Sequence, residues 1–398
     1  MNPMKRIITV LPVILFVMAG CGGGKQSDNQ KNDLIVVDVT ASYPKKELIL
    51  QDFMDVEYIP LETTDDFLCQ GSVLAVGKDI ILVQNYTNDG NIFIFDRKSG
   101  KGLRKINRMG NSGEEYIYYY NIFLDEDNGE IIICDNSKKK TLVYDLYGNF
   151  KRNMDNKENA ETLNITNFDN DSFIWWNSSF QFDSNAKEMA SFFITSKQDG
   201  SITKEIEVPF EKRKSTVLMH HDEKSNMVYS IGPSFSSIVP CKDMLLLVEP
   251  SSDTIYSCSP EHGMKPFLTR TPSIQSMDPL VFALPGVVTD DYCFMQIATI
   301  QYDFATQQGA PSVYLMYDRK AKTFAEYTVY NGDYTIEKNV AMTGGRMLNT
   351  EVPVCRKIDA HELVESYEKG ELKGELKEIA ATLDEESNPV IMLLTHKK

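Results

Sequence analysis

A short turn rich in Asp, Asn, Gly or Lys leads directly into an unbroken apolar run six times along this chain. Such runs fit strands that are buried on both faces. Five of the six continue into a second hairpin. The runs begin at or near Ile80, Ile131, Phe173, Met244, Tyr292 and Val390. Short strands and turns repeated at this spacing predict an all-β fold, a six-bladed β-propeller.

The two ends of the chain carry complementary pieces of this repeat. Strand-like stretches at 34–39 and 56–61 have no local partner, and the sixth repeat stops after the strand that starts at Val390. A propeller closes when N-terminal strands complete the last blade, because closure removes exposed sheet edges. We therefore predict a single propeller domain over 34–398, closed by pairing between residues 34–62 and the chain end.

A helical pattern interrupts the last repeat at about 359–383. Asp359 and Glu362 have the spacing of a capping pair, and Gly370 and Gly374 are expected to split the segment in two. One apolar stripe is formed by Leu372, Leu376, Ile379 and Leu383. We predict that this insertion covers core at one end of the ring, with a lid or partner surface as the alternative.

The first 33 residues have the pattern of an export signal. Lys5 and Arg6 precede an apolar run at 7–17 that is too short to span a bilayer. Small residues then precede Cys21, which resembles the bacterial lipobox, where the thiol is diacylated. We predict a lipoprotein signal peptide at 1–20, lipidation of Cys21 and a flexible tether at 21–33. An ordinary signal peptide is the alternative.

The residue after the cysteine indicates a location. The residue after Cys21 is Gly22. In such lipoproteins an Asp at this position is the signal for retention in the inner membrane. The expected location is therefore the outer membrane, lipid-anchored, on its periplasmic or its cell-surface face. The membrane is the partner of the N-terminus.

Charge and cysteine spacing exclude several function classes. The formal net charge is −16, and nucleic acid is not an expected partner because phosphate contacts need clustered Lys and Arg. The six cysteines beyond Cys21 are scattered without close pairs, so no zinc pattern is present. No phosphate loop, dinucleotide fingerprint or serine elbow occurs. We predict no cofactor and no metal.

Several segments resemble one known group of proteins. The stretches Asp55–Thr63, Phe95–Tyr116 and Asn388–Met392 look like the six-bladed β-propeller lipoproteins of Bacteroidetes. The resemblance covers essentially the whole mature chain and implies an exported, lipid-anchored, NHL-like propeller without a settled activity. Relatives often carry Gly-x-Gly-Pro before a Glu-Tyr pair, whereas this chain has Gly-Asn-Ser-Gly at 110–113.

Two groups of residues are candidates for ligand binding. Arg108, Glu115 and Tyr116 flank the loop between the first and second repeats, at an end of the sheet where propellers commonly bind ligands. A purely structural role in fixing that loop is the alternative. Trp175 and Trp176 have rings that could stack on sugars, but one of two adjacent strand residues must face each side, and core packing is the alternative.

The histidines suggest a different class of function. His220, His221 and Asp222 combine imidazole with carboxylate, yet adjacent residues of a strand point to opposite faces. No reacting group is otherwise recognisable, which leaves enzymatic activity open. The predicted function is a binding or interaction module for a glycan, a peptide or a partner protein. The alternative is a propeller-type hydrolase or lyase with a His and carboxylate site at the channel mouth.

Overall fold

The computed structural model describes residues 34–87, 89–119, 121–135, 137–155, 162–178, 190–223, 226–344 and 348–397. The predicted signal peptide, Cys21 and the tether lie outside these residues. The segment that precedes blade 1 in the chain contains β1 (Ile35–Asp38), β2 (Lys45–Ile49), the short helix α1 (Leu50–Phe53) and β3 (Met54–Pro60).

Blades 1 to 3 are four-stranded antiparallel sheets that follow one another in the chain. Blade 1 contains β4 (Ser72–Val76), β5 (Ile80–Gln84), β6 (Asn91–Asp96) and β7 (Gly102–Asn107). Blade 2 contains β8 (Asn121–Asp125), β9 (Glu130–Asp135), β10 (Lys140–Asp145) and β11 (Phe150–Asp155). Blade 3 contains β12 (Thr162–Asn167), β13 (Ser172–Asn177), β14 (Phe192–Ser196) and β15 (Ile202–Ile206).

Blades 4 and 5 carry two inserted hairpins. The first hairpin, β16 (Leu218–Asp222) and β17 (Met227–Ile231), precedes blade 4, which contains β18 (Ile238–Cys241), β19 (Met244–Leu247), β20 (Thr254–Ser259) and β21 (Gly263–Thr271). A 3-10 turn at Ile274–Ser276 leads to blade 5, with β22 (Val281–Val288) and β23 (Tyr292–Thr299). The second hairpin, β24 (Tyr302–Asp303) and β25 (Gln308–Gly309), then precedes β26 (Val313–Asp318) and β27 (Thr323–Tyr330).

Blade 6 joins the two ends of the folded chain. It contains β28 (Val354–Ile358), β29 (Val390–His396) and, as its outer strand, β3. β29 and β3 are antiparallel and in register from Val390 opposite Pro60 to His396 opposite Met54. The inner position holds an irregular segment in which the Met342 carbonyl accepts a hydrogen bond from the Val287 N–H of blade 5. The predicted six-bladed propeller and its closure by N-terminal strands are confirmed.

The most N-terminal strands differ from the prediction in their partners. β1 pairs in parallel with β21 of blade 4, and β2 pairs in parallel with β27 of blade 5. The segment 35–60 therefore runs along the outer edges of blades 4, 5 and 6 in turn. Lys45 and Lys46 cover the outer edge of β27, a strand that has neither Lys nor Arg. Covering an apolar edge with a charged strand blocks edge-to-edge association.

The helical insertion forms two helices, α2 (Ala360–Glu368) and α3 (Gly374–Ala380). Gly370 and Gly374 separate them and both adopt positive φ, as their conformational freedom allows. The apolar side chains Leu363, Leu372, Leu376 and Ala380 pack into the core of blades 4 to 6, so the insertion covers core as predicted. Asp359 is the N-cap residue, but its carboxylate makes no capping hydrogen bond and instead pairs with Lys357 Nζ at 2.7 Å.

Candidate ligand-binding face

The two faces of the ring carry connections of very different length. On one face, the turns that join the first to the second strand and the third to the fourth strand of blades 1–5 have only two to five residues. We call this the short-turn face. The opposite face, the elaborated face, carries the long connections 108–120, 207–237, 300–312 and 359–389. Both inserted hairpins and both C-terminal helices therefore lie on the elaborated face.

Side chains on the short-turn face form contacts between neighbouring blades. The Glu126 carboxylate of blade 2 accepts hydrogen bonds from the N–H groups of Asp79 at 3.0 Å and Ile80 at 3.2 Å, which end the first turn of blade 1. The Lys242 ammonium of blade 4 forms an ion pair with the Asp290 carboxylate of blade 5. These contacts join blade 1 to blade 2 and blade 4 to blade 5 on the short-turn face.

The loop 108–119 brings together three of the predicted binding residues. Tyr116 is fully buried, and its hydroxyl donates to the Gly90 carbonyl at 2.8 Å and accepts from the Arg108 N–H at 3.0 Å. Burial raises the pKa of Tyr116. Arg108 Nε donates to the Gly148 carbonyl of blade 2 at 2.7 Å. In this arrangement Arg108 and Tyr116 fix the crossing between blades 1 and 2, and their predicted ligand-binding role stays a prediction.

Glu115 and Lys138 organise the exposed part of the same loop. The Glu115 carboxylate accepts a hydrogen bond from the Ser112 N–H at 2.9 Å, which lowers the pKa of Glu115. Lys138 Nζ donates to the carbonyls of Ser112 at 2.7 Å and Glu115 at 2.6 Å. Lys138 is not recognisable from the sequence as a partner of this loop, because it lies in another blade and nothing in its local sequence links it to the loop.

Trp175 and Trp176 lie on β13, far along the chain from that loop, and both are buried. Trp175 packs between blades 2 and 3, where its Nε1 donates to Thr195 Oγ1 at 2.5 Å and its ring stacks on Phe193. Trp176 points to the other side, with its ring edge-on to Phe235 at 5.9 Å. The two rings thus face opposite sides of the strand, as the pleat requires. Their use in sugar binding stays a prediction.

The adjacent histidines lie on the first inserted hairpin and are exposed. The His220 ring stacks on Phe304 of the second hairpin, with centroids 4.3 Å apart, and His221 Nε2 lies 3.0 Å from Asn226 Oδ1. Within the described ranges, no three His, Cys, Asp or Glu side chains form a group that could hold a metal ion. A His and carboxylate site at the channel mouth therefore stays a prediction without a located constellation.

The part of the chain that the structure describes contains no helix long and apolar enough to cross a membrane. Cys69, Cys241, Cys258, Cys293 and Cys355 are free thiols. Burial raises the pKa of Cys241 to about 11 and that of Cys293 to about 12. Such thiols are poor nucleophiles at neutral pH, because the thiolate is the reactive form.

A family model described as a domain of unknown function, DUF4934, matches residues 34–395. The chain belongs to this family. The match begins and ends within a few residues of the closed ring, so the family domain and the propeller are the same unit. No curated protein matches the chain.

Solved structures give a similar fold at low sequence identity. A Bacteroides fragilis protein named "putative exported protein" has 15% identity and a TM-score of 0.56, over 92% of this chain and 100% of that chain. A DUF4221 member from Bacteroides vulgatus has 10% identity and a TM-score of 0.41, over 86% of this chain and 97% of that chain. Virginiamycin B lyase from Staphylococcus aureus has 13% identity and a TM-score of 0.37, over 86% and 100%. The first likeness supports the fold, and the other two carry no argument about function.

Proposed function

We propose that this protein is an exported propeller, anchored to the outer membrane through lipidated Cys21, that acts as a binding or interaction module for a glycan, a peptide or a partner protein. One observation carries the proposal: the long connections 108–120, 207–237, 300–312 and 359–389 lie on the elaborated face, whereas the turns on the opposite face of blades 1–5 have only two to five residues. Binding residues are commonly placed on loops that a rigid scaffold positions. The elaborated face is therefore the expected binding face.

Exposed aromatic side chains on that face support the proposal. Tyr86, in the connection 85–90 of blade 1, is 68% exposed, and Tyr118 is 46% exposed. Lys357 Nζ lies 5.2 Å from the centroid of the Tyr86 ring. Aromatic rings with a nearby charged group can bind apolar and polar parts of one ligand together.

Matched tyrosines test the binding function. Tyr147 is 71% exposed but lies in the turn 146–149 on the short-turn face. Binding to an array of glycans and peptides is measured for the wild type and for Y86A, Y118A and Y147A. We expect saturable binding that Y86A or Y118A weakens and Y147A leaves unchanged. The proposal is wrong if the array yields no saturable ligand, or if Y147A weakens binding as much as the other two variants.

The membrane anchor needs its own experiment. The supporting observations are Lys5 and Arg6, the apolar run at 7–17 and the small residues before Cys21. Cells that express the full chain are labelled with radioactive palmitate and their membranes are separated by density. We expect label in the wild type, in the outer-membrane fraction, and none in C21S. Equal labelling of C21S, or a wild-type protein without label, would exclude the anchor while leaving the binding function open.

A further inference from the structure

The two inserted hairpins contact each other on the elaborated face. β16–β17 comes from the connection between blades 3 and 4, and β24–β25 comes from blade 5. The stack of His220 on Phe304 joins them, and Tyr302 packs edge-on against Phe304 at 4.9 Å. We call β16–β17 together with β24–β25 the hairpin pair.

The first hairpin exposes large apolar side chains on both of its faces. Met219, Met227, Val228 and Tyr229 are between 42% and 58% exposed, and none belongs to a hydrophobic cluster of the fold. The ladder places Met219 opposite Ser230 and His221 opposite Val228. An isolated two-stranded hairpin is only marginally stable in water. Apolar side chains grouped this way on a soluble surface are typical of a protein-binding site.

Other strands at the rim of the molecule are built differently. β7 carries Arg104 and Lys105, β15 carries Lys204 and Glu205, and β2 carries Lys45 and Lys46. Charges of this kind protect sheet edges from unwanted pairing. β17 reads Met-Val-Tyr-Ser-Ile and has no charge at all. These three strands carry charged side chains at the rim, whereas β17 carries none.

The charge of the hairpin pair indicates the chemistry of its partner. Its sequence contains three carboxylates, Asp222, Glu223 and Asp303, against the single lysine Lys224. The whole chain has a net charge of −16. Protein interfaces combine an apolar centre with a polar rim, and complementary charge steers the correct partner. A partner that fits this surface presents apolar side chains flanked by Lys or Arg.

We infer that the hairpin pair is a docking surface for a partner protein with an apolar segment flanked by basic residues. The inference rests on the proposed binding function and names one class of partner for the elaborated face. The apolar side chains of the hairpin supply the contact area. The carboxylates orient the partner and raise the rate of association. Both effects weaken as salt screens the charges.

The probes for the test are two sets of synthetic peptides, with the same apolar residues flanked either by Lys or by Glu. Binding to the full chain is measured by fluorescence anisotropy at low and high salt. We expect saturable, salt-sensitive binding of the Lys-flanked set only. The combined substitution M219S/M227S/V228T/Y229S should weaken it about tenfold or more. D303N should reduce the salt dependence because it removes one of the carboxylates. The turn should be kept, since the amide oxygen can still accept the Ala305 N–H bond that Asp303 Oδ1 now accepts.

Several outcomes would overturn the inference. They are equal binding of the Glu-flanked set, an unchanged affinity in the four-residue variant, or binding of that hairpin to lipid vesicles or to the glycan array instead. Circular dichroism checks that the variant is folded, which we expect because its four positions lie outside the hydrophobic clusters. If array ligands still bind through Tyr86 or Tyr118, the proposed function stands and only this docking surface is wrong.

Discussion

Tyr58, on the strand that enters the ring, lies directly opposite Met392 on the strand that ends it. The Tyr58 hydroxyl donates to Asp333 Oδ2 at 2.9 Å and accepts from Asn331 Nδ2 at 2.8 Å. Both partners follow the last strand of blade 5. One buried hydroxyl thus joins the N-terminal strand to blade 5, beside the pairing that closes blade 6.

Removal of this hydroxyl should weaken the closure. In Y58F the buried Asn331 amide and the Asp333 carboxylate each lose a hydrogen-bond partner, so we expect a loss of about 1–3 kcal/mol in the free energy of unfolding. Urea unfolding followed by tryptophan fluorescence measures it. Y147F, at an exposed tyrosine, should change the unfolding midpoint little. Equal effects of the two variants would contradict the role of Tyr58.

A comparison of Gly100 with Gly263 separates the cost of a steric contact from the cost of backbone strain. It has φ +69°, and a Cβ atom there would lie 2.0 Å from the Pro60 carbonyl oxygen of the closing strand. Gly263 has a similar φ of +64° with nothing within 4 Å. We expect G263A to destabilise by about 1–2 kcal/mol through backbone strain alone, and G100A by clearly more. Thermal unfolding compares the two; similar shifts in Tm would show that the Pro60 contact relaxes freely.

Glu130 should make stability depend on acid pH. Burial alone would raise the pKa of Glu130, but the ion pairs with Arg152 and Lys151 outweigh burial and lower it. A lowered pKa contributes stability above the unfolded carboxyl pKa of about 4.3, and that contribution is lost as pH falls below it. E130Q should therefore be less stable at pH 7 by roughly 3 kcal/mol and show a flatter decline between pH 5 and 3. Urea midpoints across this range measure both.

The matched control is E385Q, at an exposed glutamate of the C-terminal insertion. It should keep the wild-type midpoint at pH 7 and the wild-type decline in acid. An E130Q profile parallel to that of the wild type would show that other carboxylates cause the acid sensitivity.

The buried thiols should resist modification in the folded protein. The pKa of Cys293 is raised to about 12 and that of Cys241 to about 11 by burial. Ellman's reagent at pH 8 should react slowly before unfolding and with all six cysteines beyond Cys21 in urea. Rapid reaction of the native protein would mean that the blades open on the timescale of the assay.

Loss of β2 should expose a sheet edge. A chain shortened to begin at Leu50 leaves the apolar outer edge of β27 without its charged cover but keeps the closing strand β3. We expect a folded protein that self-associates, measured by circular dichroism and by light scattering after gel filtration. A shorter deletion that removes only β1 retains the cover formed by Lys45 and Lys46. Its state of association should be the same as that of the full chain. A monomeric β2 deletion would contradict the protective role.

The candidate site shows where sequence reasoning reaches its limit. The sequence places Arg108, Glu115 and Tyr116 in one loop between the first and second repeats. The sequence could not show that Tyr116 would be fully buried or that Lys138 would hold the loop by its carbonyls. Both facts depend on the packing of blade 2 against blade 1. The hairpin pair was missed for the same reason, since the contact of His220 with Phe304 joins residues of different blades.

The sequence by itself determined the number of blades, the closure of the ring and the position of the helices. The blades and helices follow from local patterns, because apolar runs, turn residues and helix signals act within a few residues of each other. The closure follows from the incomplete repeats at the two ends of the chain, which complement each other. Only the tertiary structure decided that β1 and β2 cover blades 4 and 5, and that the two inserted hairpins and the helical insertion lie on the same face. Those outcomes depend on which surfaces meet after the chain has closed into a ring, and contacts between distant residues leave no periodic signal in a single sequence.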